Sequence, residues 1–374
     1  MKIAFIVQAD WLQNHFGVRN LFVSCFKILE RNGHFVHFVH FEQHCNSVLF
    51  WRDIVQDEDL KSNIKETAIG TKKRYEELTK EKCSSISAEK YFLGNCIKND
   101  YDAFIITNPW LINYPLDFGN NPVSLICHDC IANIFALLNV NKSHEWGYLH
   151  NAGYQFSLDK NYHFLSNSEK TDKEIIDFYN PKKHSYLPPV LPYAFFDVKY
   201  VKEQKKENAI LLAAPFDLRK GLLKIPEILN NLKDDFDVLY IYGMPRCGSK
   251  LYENFYKQIQ VRNIIHYNKI TSEDLIELYK KCKILFFPST EEGLGLPIIE
   301  AQLCGCRVVT TNDIPMNQML CDGGYLLTDN LKTDINNIKR ILADERYDYL
   351  KLSVLAKTKF QTGAIYNAIM ASLT

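Results

Sequence analysis

The 374-residue chain lacks several features that would each point to a particular class of protein. Its 44 Lys and Arg residues are balanced by 44 Asp and Glu residues, and no long basic block occurs, which argues against nucleic-acid binding. No apolar run approaches the ~18 residues of a membrane helix, and residues 1–8 turn polar too soon for a signal peptide. We therefore expect a cytoplasmic globular protein that could contact the inner face of a membrane peripherally.

Two motifs that would suggest other chemistry are also missing. Residues 8–12 read Gln-Ala-Asp-Trp-Leu, so the Gly-x-Gly-x-x-Gly turn of a nicotinamide-dependent oxidoreductase is absent after the first strand. Cys127-His128-Asp129-Cys130 has no second Cys-x-x-Cys to complete a zinc site, and the odd count of eleven cysteines is typical of reduced thiols. Asp57-Glu58-Asp59 has the spacing of an Asp-x-Asp metal-binding motif. It lies in a charged segment and not after a core strand, so we interpret it as solvated surface. We expect no cofactor and no obligatory metal.

The residues that are present predict two α/β domains. A 47% hydrophobic and 24% charged composition is sufficient for two buried sheets, and apolar strands alternate with amphipathic helices. The Pro-rich run 187–192 marks the crossing between domains 1–190 and 191–357, and the charged region 43–99 is predicted to be a helical insertion. Strands are predicted at 2–7, 34–41, 103–107, 123–127 and 163–166, then at 209–214, 238–242, 264–266 and 284–287; helices are predicted at 18–31 and 272–282.

The most informative run follows the strand 284–287. Gly293 and Gly295 allow a tight strand-to-helix turn, and Pro297 suits the first position of the helix, whose free amides would favour an anion. Glu292 and Glu300 are carboxylates that accept hydrogen bonds at neutral pH, and they could bind the vicinal hydroxyls of two separate rings. The run predicts a site for a sugar joined to a nucleotide diphosphate.

The run from Pro288 to Ala301, continued by Cys304-Gly305-Cys306-Arg307-Val308-Val309-Thr310-Thr311, resembles the signature of family 4 retaining glycosyltransferases (glycosyl transferases group 1). The resemblance implies the GT-B fold, an α/β architecture of two Rossmann-like domains whose parallel sheets face a central cleft. Domain 1–190 would bind the acceptor and domain 191–357 the nucleotide-sugar donor. Residues 358–374 would form a helix that returns to the first domain.

The resemblance also implies roles for single residues. Arg219-Lys220-Gly221 is similar to the turn that neutralises the donor diphosphate, although the family more often has an Arg where this chain has Pro215. The donor would be bound by Gly17, Arg219, Lys220, Glu292, Gly293, Leu294, Gly295, Leu296 and Glu300, and His128, Glu292 and Lys220 would be catalytic.

Alternative interpretations exist for several of these residues. His128 could be a packed histidine at a sheet edge, and Asp129 could cap a helix. Arg219 could be a solvent-facing helix start. Phe16-Gly17 stands where the family usually has two glycines, so Phe16 could stack on a sugar ring. Ser166-Asn167-Ser168-Glu169 could contact a ligand or cap a helix.

The function implied is transfer of a hexose, with retention, from a UDP- or GDP-linked sugar to a hydroxyl of a glycan or lipid-linked glycan in bacterial surface polysaccharide synthesis. One alternative is a GT-B scaffold that has lost catalysis and binds a glycan or partner, against which the presence of Glu292, Glu300 and Lys220 argues. A nucleotide-sugar epimerase or a phosphorylase of the same fold is another.

Overall fold

The computed structural model describes residues 1–7, 16–40, 66–68, 76, 80–82, 100–109, 118–131, 133–134, 143–202, 204–245, 248–328 and 330–374. The chain divides into two compact units: unit 1 comprises Met1–Tyr193 and Thr362–Thr374, and unit 2 comprises Ala194–Gln361. The sequence predicted domain boundaries after residues 190 and 357, whereas the units divide after residues 193 and 361. In the described part of the chain, no helix combines the length and the apolar character that crossing a membrane would require.

Unit 1 is built on a seven-stranded parallel sheet with the order β3-β2-β1-β4-β5-β6-β7. The central strands are apolar runs buried on both faces, as expected where helices cover a parallel sheet. The strands are β1 (Lys2–Val7), β2 (Phe35–His40), β3 (Glu66–Ala68), β4 (Ala103–Ile106), β5 (Val123–Cys127), β6 (His163–Ser166) and β7 (His184–Tyr186). Helices with both ends in the described part of unit 1 include α1 (Phe16–Arg31), α2 (Ser143–Asp159), α3 (Glu169–Tyr179) and the C-terminal α11 (Thr362–Ser372).

The C-terminal helix α11 is part of unit 1. The hydroxyl of Ser124 on β5 lies 2.9 Å from both the carbonyl oxygen and the hydroxyl of Ser372. The imidazole Nε2 of His34 lies 3.1 Å from the Tyr366 hydroxyl. These buried and half-buried polar contacts join the last residues of the chain to its first sheet.

The prediction that residues 43–99 form a helical insertion is wrong for the part of this region that includes β3. Glu66–Ala68 pairs in parallel with β2, with Thr67 opposite Val39. The open edge of β2 offers backbone hydrogen bonds that outweigh the helical tendency of the surrounding charged residues, and β-branched Thr67 favours a strand. Most of the remaining region, including Asp57-Glu58-Asp59, lies outside the described residues.

Unit 2 is built on a six-stranded parallel sheet with the order β10-β9-β8-β11-β12-β13. Its strands are β8 (Glu207–Ala213), β9 (Val238–Tyr242), β10 (Ile264–Tyr267), β11 (Cys282–Phe287), β12 (Arg307–Thr310) and β13 (Tyr325–Leu326). Its α-helices are α4 (Ile225–Asn230), α5 (Ser249–Gln258), α6 (Ser272–Lys281), α7 (Leu296–Leu303), α8 (Met316–Met319), α9 (Leu331–Ala343) and α10 (Tyr349–Lys359).

The two central strands of unit 2 place its candidate site. Strand β11 is buried along its whole length and pairs with β8, with Leu285 opposite Leu211. Because both strands run in the same direction, the loops that follow them meet at the same edge of the sheet, where open α/β sheets bind ligands. The predicted class, two α/β units each with a parallel sheet, is confirmed.

Candidate donor site

The loop after β8 contains a short 3₁₀ helix, Leu218–Lys220. This helix carries two cationic side chains, Arg219 and Lys220. Asp217 caps it, since its Oδ1 accepts from the Arg219 amide at 3.1 Å. Gly221 ends it with φ +77°, and a Cβ at this position would lie 2.4 Å from the carbonyl oxygen of Pro288. Glycine is therefore required both by the left-handed conformation and by the close approach of the neighbouring loop.

The loop after β11 is bonded directly to the loop after β8. The Thr290 amide donates to the Arg219 carbonyl at 2.8 Å, and the Thr290 hydroxyl lies 3.1 Å from the same oxygen. The Thr311 hydroxyl donates to the Ser289 carbonyl at 2.6 Å, which joins this loop to the end of β12. Three consecutive sheet neighbours, β8, β11 and β12, thus fix the loop that contains Glu292.

Glu292 forms ion pairs with both cationic side chains of the β8 loop. Its Oε2 accepts from Arg219 Nη1 at 3.1 Å, and its Oε1 accepts from Lys220 Nζ and, at 2.6 Å, from the Ser289 hydroxyl. Arg219 is oriented further by the Glu291 carbonyl at 2.8 Å and by Asp217 Oδ2 at 3.1 Å from its Nε. The interpretation of Arg219 as a solvent-facing helix start is therefore wrong.

Glu292 is ionised in this environment. It is 8% exposed, and burial alone would raise its pKa, but Lys220 and Arg219 outweigh burial and hold the pKa of the carboxyl below its usual value. The Lys220 ammonium also lies 4.7 Å from the centroid of the Phe287 ring. The result is a half-buried cluster of two cations and one carboxylate at the carboxyl edge of the sheet.

The start of α7 differs in two respects from the prediction. Gly295 is the residue before the helix and has φ +86°, whereas Gly293 is not among the residues with positive φ. Pro297 is the second helical residue, after Leu296, and it has no N–H. The Ile298 amide donates to the Gly295 carbonyl at 3.0 Å. The first turn therefore offers fewer amides to an anion than expected, and the positive charge of the site comes chiefly from the β8 loop.

Glu300 lies on α7 and is buried. Its Oε2 accepts a hydrogen bond from the Tyr279 hydroxyl at 3.1 Å. Burial raises the pKa of Glu300 to about 7, and the hydrogen bond from Tyr279 opposes this shift. The expected role of Glu300 as a hydrogen-bond acceptor for a ligand hydroxyl stays a prediction, and the raised pKa makes that role sensitive to pH near neutrality. Leu294 lies in the turn before α7 and is buried, at 6% exposure.

In unit 1, His128 and Asp129 lie at the carboxyl end of β5, as predicted. His128 Nε2 lies 2.8 Å from the Thr107 carbonyl oxygen; since a carbonyl can only accept, Nε2 carries the proton. The Phe22 ring meets the imidazole edge-on with centroids 5.6 Å apart. Asp129 Oδ1 accepts from the Ile131 amide at 3.0 Å, which is the capping use of this residue. Ser168 likewise caps α3 by accepting from the Thr171 amide at 3.1 Å.

Gly17 lies within the first turn of α1, which begins at Phe16, two residues before the predicted start. The side chain of Phe16 lies outside the described residues, so its predicted contact with a sugar ring stays a prediction. Cys127 and Cys130 are buried, and burial raises the pKa of both thiols, which disfavours the thiolate forms that redox and zinc chemistry use. Among the described residues, no three His, Cys, Asp or Glu side chains are arranged to hold a metal.

Sequence reasoning did not identify two residues of the site, Ser289 and Tyr279. Ser289 lies within the signature run, and a buried serine beside a carboxylate needs a partner. Tyr279 lies in the helix predicted at 272–282. The signal that could have found it is its hydroxyl, because a buried tyrosine usually donates a hydrogen bond.

Comparison with known proteins agrees with this geometry. Residues 196–353 match the family of glycosyl transferases group 1. The resemblance to this family is confirmed, and the assignment to family 4 stays a prediction. The matched residues include every member of the cluster formed by Arg219, Lys220 and Glu292, together with Glu300.

Two relatives illustrate the likeness in sequence. This chain is 28% identical over 190 residues to the N,N'-diacetylbacillosaminyl-diphospho-undecaprenol alpha-1,3-N-acetylgalactosaminyltransferase of Campylobacter jejuni. The aligned residues cover 46% of this chain and 47% of that protein. The serotype-specific mannosyltransferase WbdA of Escherichia coli is 34% identical over 91 residues, which are 24% of this chain and 11% of WbdA. The chain thus matches less than half of the length of these relatives.

A likeness to solved structures covers both units. The structure of Anabaena Alr3699/HepE in complex with UDP and glucose has a TM-score of 0.72 with 14% sequence identity, covering 100% of this chain and 99% of that chain. At this identity the likeness shows the fold alone. The predicted GT-B class is confirmed.

Proposed function

We propose that this protein is a retaining glycosyltransferase that moves a hexose from a UDP- or GDP-linked sugar to a hydroxyl of a glycan or lipid-linked glycan. The observation that carries the proposal is the convergence of Arg219, Lys220 and Glu292 where β8 and β11 end. Two half-buried cations beside a carboxylate can bind a diphosphate and an adjoining sugar, because phosphate needs positive charge and sugar hydroxyls need an acceptor. The group 1 family match over the same residues supports this interpretation.

In the proposed reaction the bond between the anomeric carbon and the diphosphate breaks, and the acceptor oxygen takes its place on the same face. Lys220 and Arg219 stabilise the charge that develops on the leaving diphosphate. The diphosphate accepts the proton of the acceptor hydroxyl, so that no protein nucleophile is needed. Glu292 orients the transferred sugar. The catalytic role that the family resemblance implies for His128 stays a prediction. Lys220 and Arg219 supply the positive charge that a metal ion would otherwise supply, and we propose that the reaction needs no metal ion.

The proposed setting is bacterial polysaccharide synthesis in the cytoplasm. Relatives named for transfer to a diphospho-undecaprenol-linked sugar and for O-antigen and capsule synthesis support a glycan or lipid-linked acceptor. Such an acceptor would bring the protein to the inner face of the membrane. Cosedimentation with anionic vesicles, with and without a lipid-linked glycan, tests that contact.

The test of the function is a transfer assay with UDP-, GDP- and ADP-hexoses, with and without EDTA, followed by NMR of the product's anomeric proton. We expect one donor to support transfer with retained configuration, undiminished by EDTA, and lost in Lys220→Ala. Lys339→Ala is the matched control, since Lys339 pairs with Asp235 at 3.0 Å on the surface of the same unit. Hydrolysis or isomerisation of a donor without transfer would favour an epimerase, and inverted products would contradict retention.

A further inference from the structure

Two tyrosines, one buried and one half-buried, connect Glu300 to the interior of unit 2. Tyr279 on α6 is fully buried, and its hydroxyl lies 3.1 Å from Glu300 Oε2. The hydroxyl of Tyr242, the last residue of β9, lies 2.9 Å from the Tyr279 hydroxyl. The chain of hydrogen bonds therefore runs from the end of one strand, through a helix, to the carboxyl group on α7.

The direction of these hydrogen bonds follows from the chemistry of their ends. An ionised carboxylate can only accept, so the single proton of Tyr279 points to Glu300, and Tyr242 must then donate to Tyr279. Each donated bond polarises the next one, and the chain favours negative charge on Glu300. The Phe195 ring packs edge-on against the Tyr279 ring, with centroids 6.3 Å apart, and helps to fix its orientation.

We propose that Tyr279, supported by Tyr242, is a positioning residue that holds the Glu300 carboxylate ionised and oriented for the ribose hydroxyls of the donor nucleotide. Donor binding accordingly weakens as Glu300 takes up a proton. This inference rests on the proposed function, because it assigns a pH-dependent step to the same donor site.

The surroundings of Glu300 make Tyr279 the decisive partner. Burial raises the pKa of Glu300 to about 7, and within the described part of the chain the hydrogen bond from Tyr279 is the interaction that lowers it. The titratable neighbours, Tyr279 on α6, Tyr242 on β9 and Cys304 at the end of α7, are neutral at pH 7 because burial raises the pKa of each. Lys206 and Lys280 lower the pKa of Cys304 and do not contribute to the shift at Glu300.

The test is calorimetric titration of the protein with UDP, GDP and ADP between pH 6 and pH 9, on wild type and on Tyr279→Phe. Loss of one hydrogen bond to a charged group should raise the midpoint of the pH dependence by about one unit. With the wild-type midpoint at about 7, the ionised fraction of Glu300 at pH 7 falls from about one half to about one tenth, so binding of the preferred diphosphate should weaken about fivefold. At pH 9 the two proteins should bind alike, because Glu300 is ionised in both.

The terminal phosphate of the ligand itself titrates near pH 6, so the difference between variants is the decisive quantity. Tyr325→Phe is the matched control: the Tyr325 hydroxyl donates to Asp334 Oδ1 at 2.7 Å in the same unit, and its removal should leave the midpoint unchanged. Tyr242→Phe should shift the midpoint upward by less, and it provides a second readout if Tyr279→Phe does not fold.

Three outcomes would count against the inference. Equal midpoints for wild type and both tyrosine variants overturn it while leaving the proposed function intact. A loss of affinity by the same factor at every pH assigns Tyr279 a purely structural role and also overturns it. No binding of any of the three diphosphates to wild type contradicts the proposed function and the inference together.

Discussion

Replacing Glu292 with Gln should lower the stability of unit 2 while leaving in place the two cations that we propose bind a diphosphate. Glu292 is the shared partner of Arg219 and Lys220, whose side chains are 20% and 13% exposed. Gln keeps the shape and the hydrogen bond from Ser289 but removes the negative charge. Breaking a buried ion pair by removing one partner typically costs about 3–5 kcal/mol, because the remaining charge is left uncompensated. Arg219 keeps Asp217 at 3.1 Å, which limits the cost to the lower part of this range.

The pH dependence gives this prediction a second signature. The pKa of Glu292 is lowered in the folded protein, so its contribution to stability is present above the ordinary carboxyl pKa of 4.5 and is lost as the pH falls through the lowered value. Urea titrations should therefore show a loss of about 3 kcal/mol in the free energy of unfolding of Glu292→Gln at pH 7. The gap should narrow below pH 4, where wild type also loses the charge.

The same variant should respond more strongly to added anion. Without Glu292, the two cations lack their shared carboxylate, so UDP or pyrophosphate should raise the melting temperature of Glu292→Gln more than that of wild type, while sugar transfer is lost. Glu345→Gln is the matched control, because Glu345 pairs with the buried Lys283 at 2.6 Å but is itself 79% exposed. Equal stability of Glu292→Gln and wild type at pH 7, or an equal response of both to pyrophosphate, would refute this reasoning.

Three further predictions concern single positions. Glu300→Gln should raise the free energy of unfolding by up to ~3 kcal/mol at pH 8, since a pKa raised from 4.5 to about 7 lowers stability as the pH rises between those values; a gain that persists at pH 4 would contradict it. Gly221→Ala should lower the free energy of unfolding in urea by about 2 kcal/mol more than Gly33→Ala. Both glycines have left-handed φ, but a Cβ at Gly33 would have nothing within 4 Å, so equal losses would mean that the loops after β8 and β11 are not in close contact. Of the seven described cysteines, Cys321 should react first with a thiol reagent in the native protein, since the other six are buried; early labelling of one of those six would contradict this burial.

The local geometry of the signature run could be predicted because it depends on residue type alone. A strand of apolar residues, a glycine at positive φ and a proline near the helix start give β11, Gly295 and α7 in order. The two cations after β8 were predicted from the resemblance of Arg219-Lys220-Gly221 to the turn of the family, and not from residue type alone.

The partners of these residues could not be predicted in the same way. Glu292 meets Lys220 across 72 positions and Tyr279 meets Glu300 across 21, and both contacts depend on which strands are neighbours in the sheet. The raised pKa of Glu300 depends on its burial, which composition and spacing do not give. The edge strand β3 was missed because pairing with β2 outweighs the charged character of its segment.

The most direct test of the central claim is calorimetric titration of UDP, GDP and ADP into wild type, Lys220→Ala and the control Lys339→Ala. If the cations after β8 hold the donor diphosphate, wild type and the control should bind one nucleotide selectively, and Lys220→Ala should bind it roughly 10–100-fold more weakly. Equal affinity of all three proteins, or no binding of any nucleotide to wild type, would contradict the assignment of this site to a nucleotide diphosphate sugar.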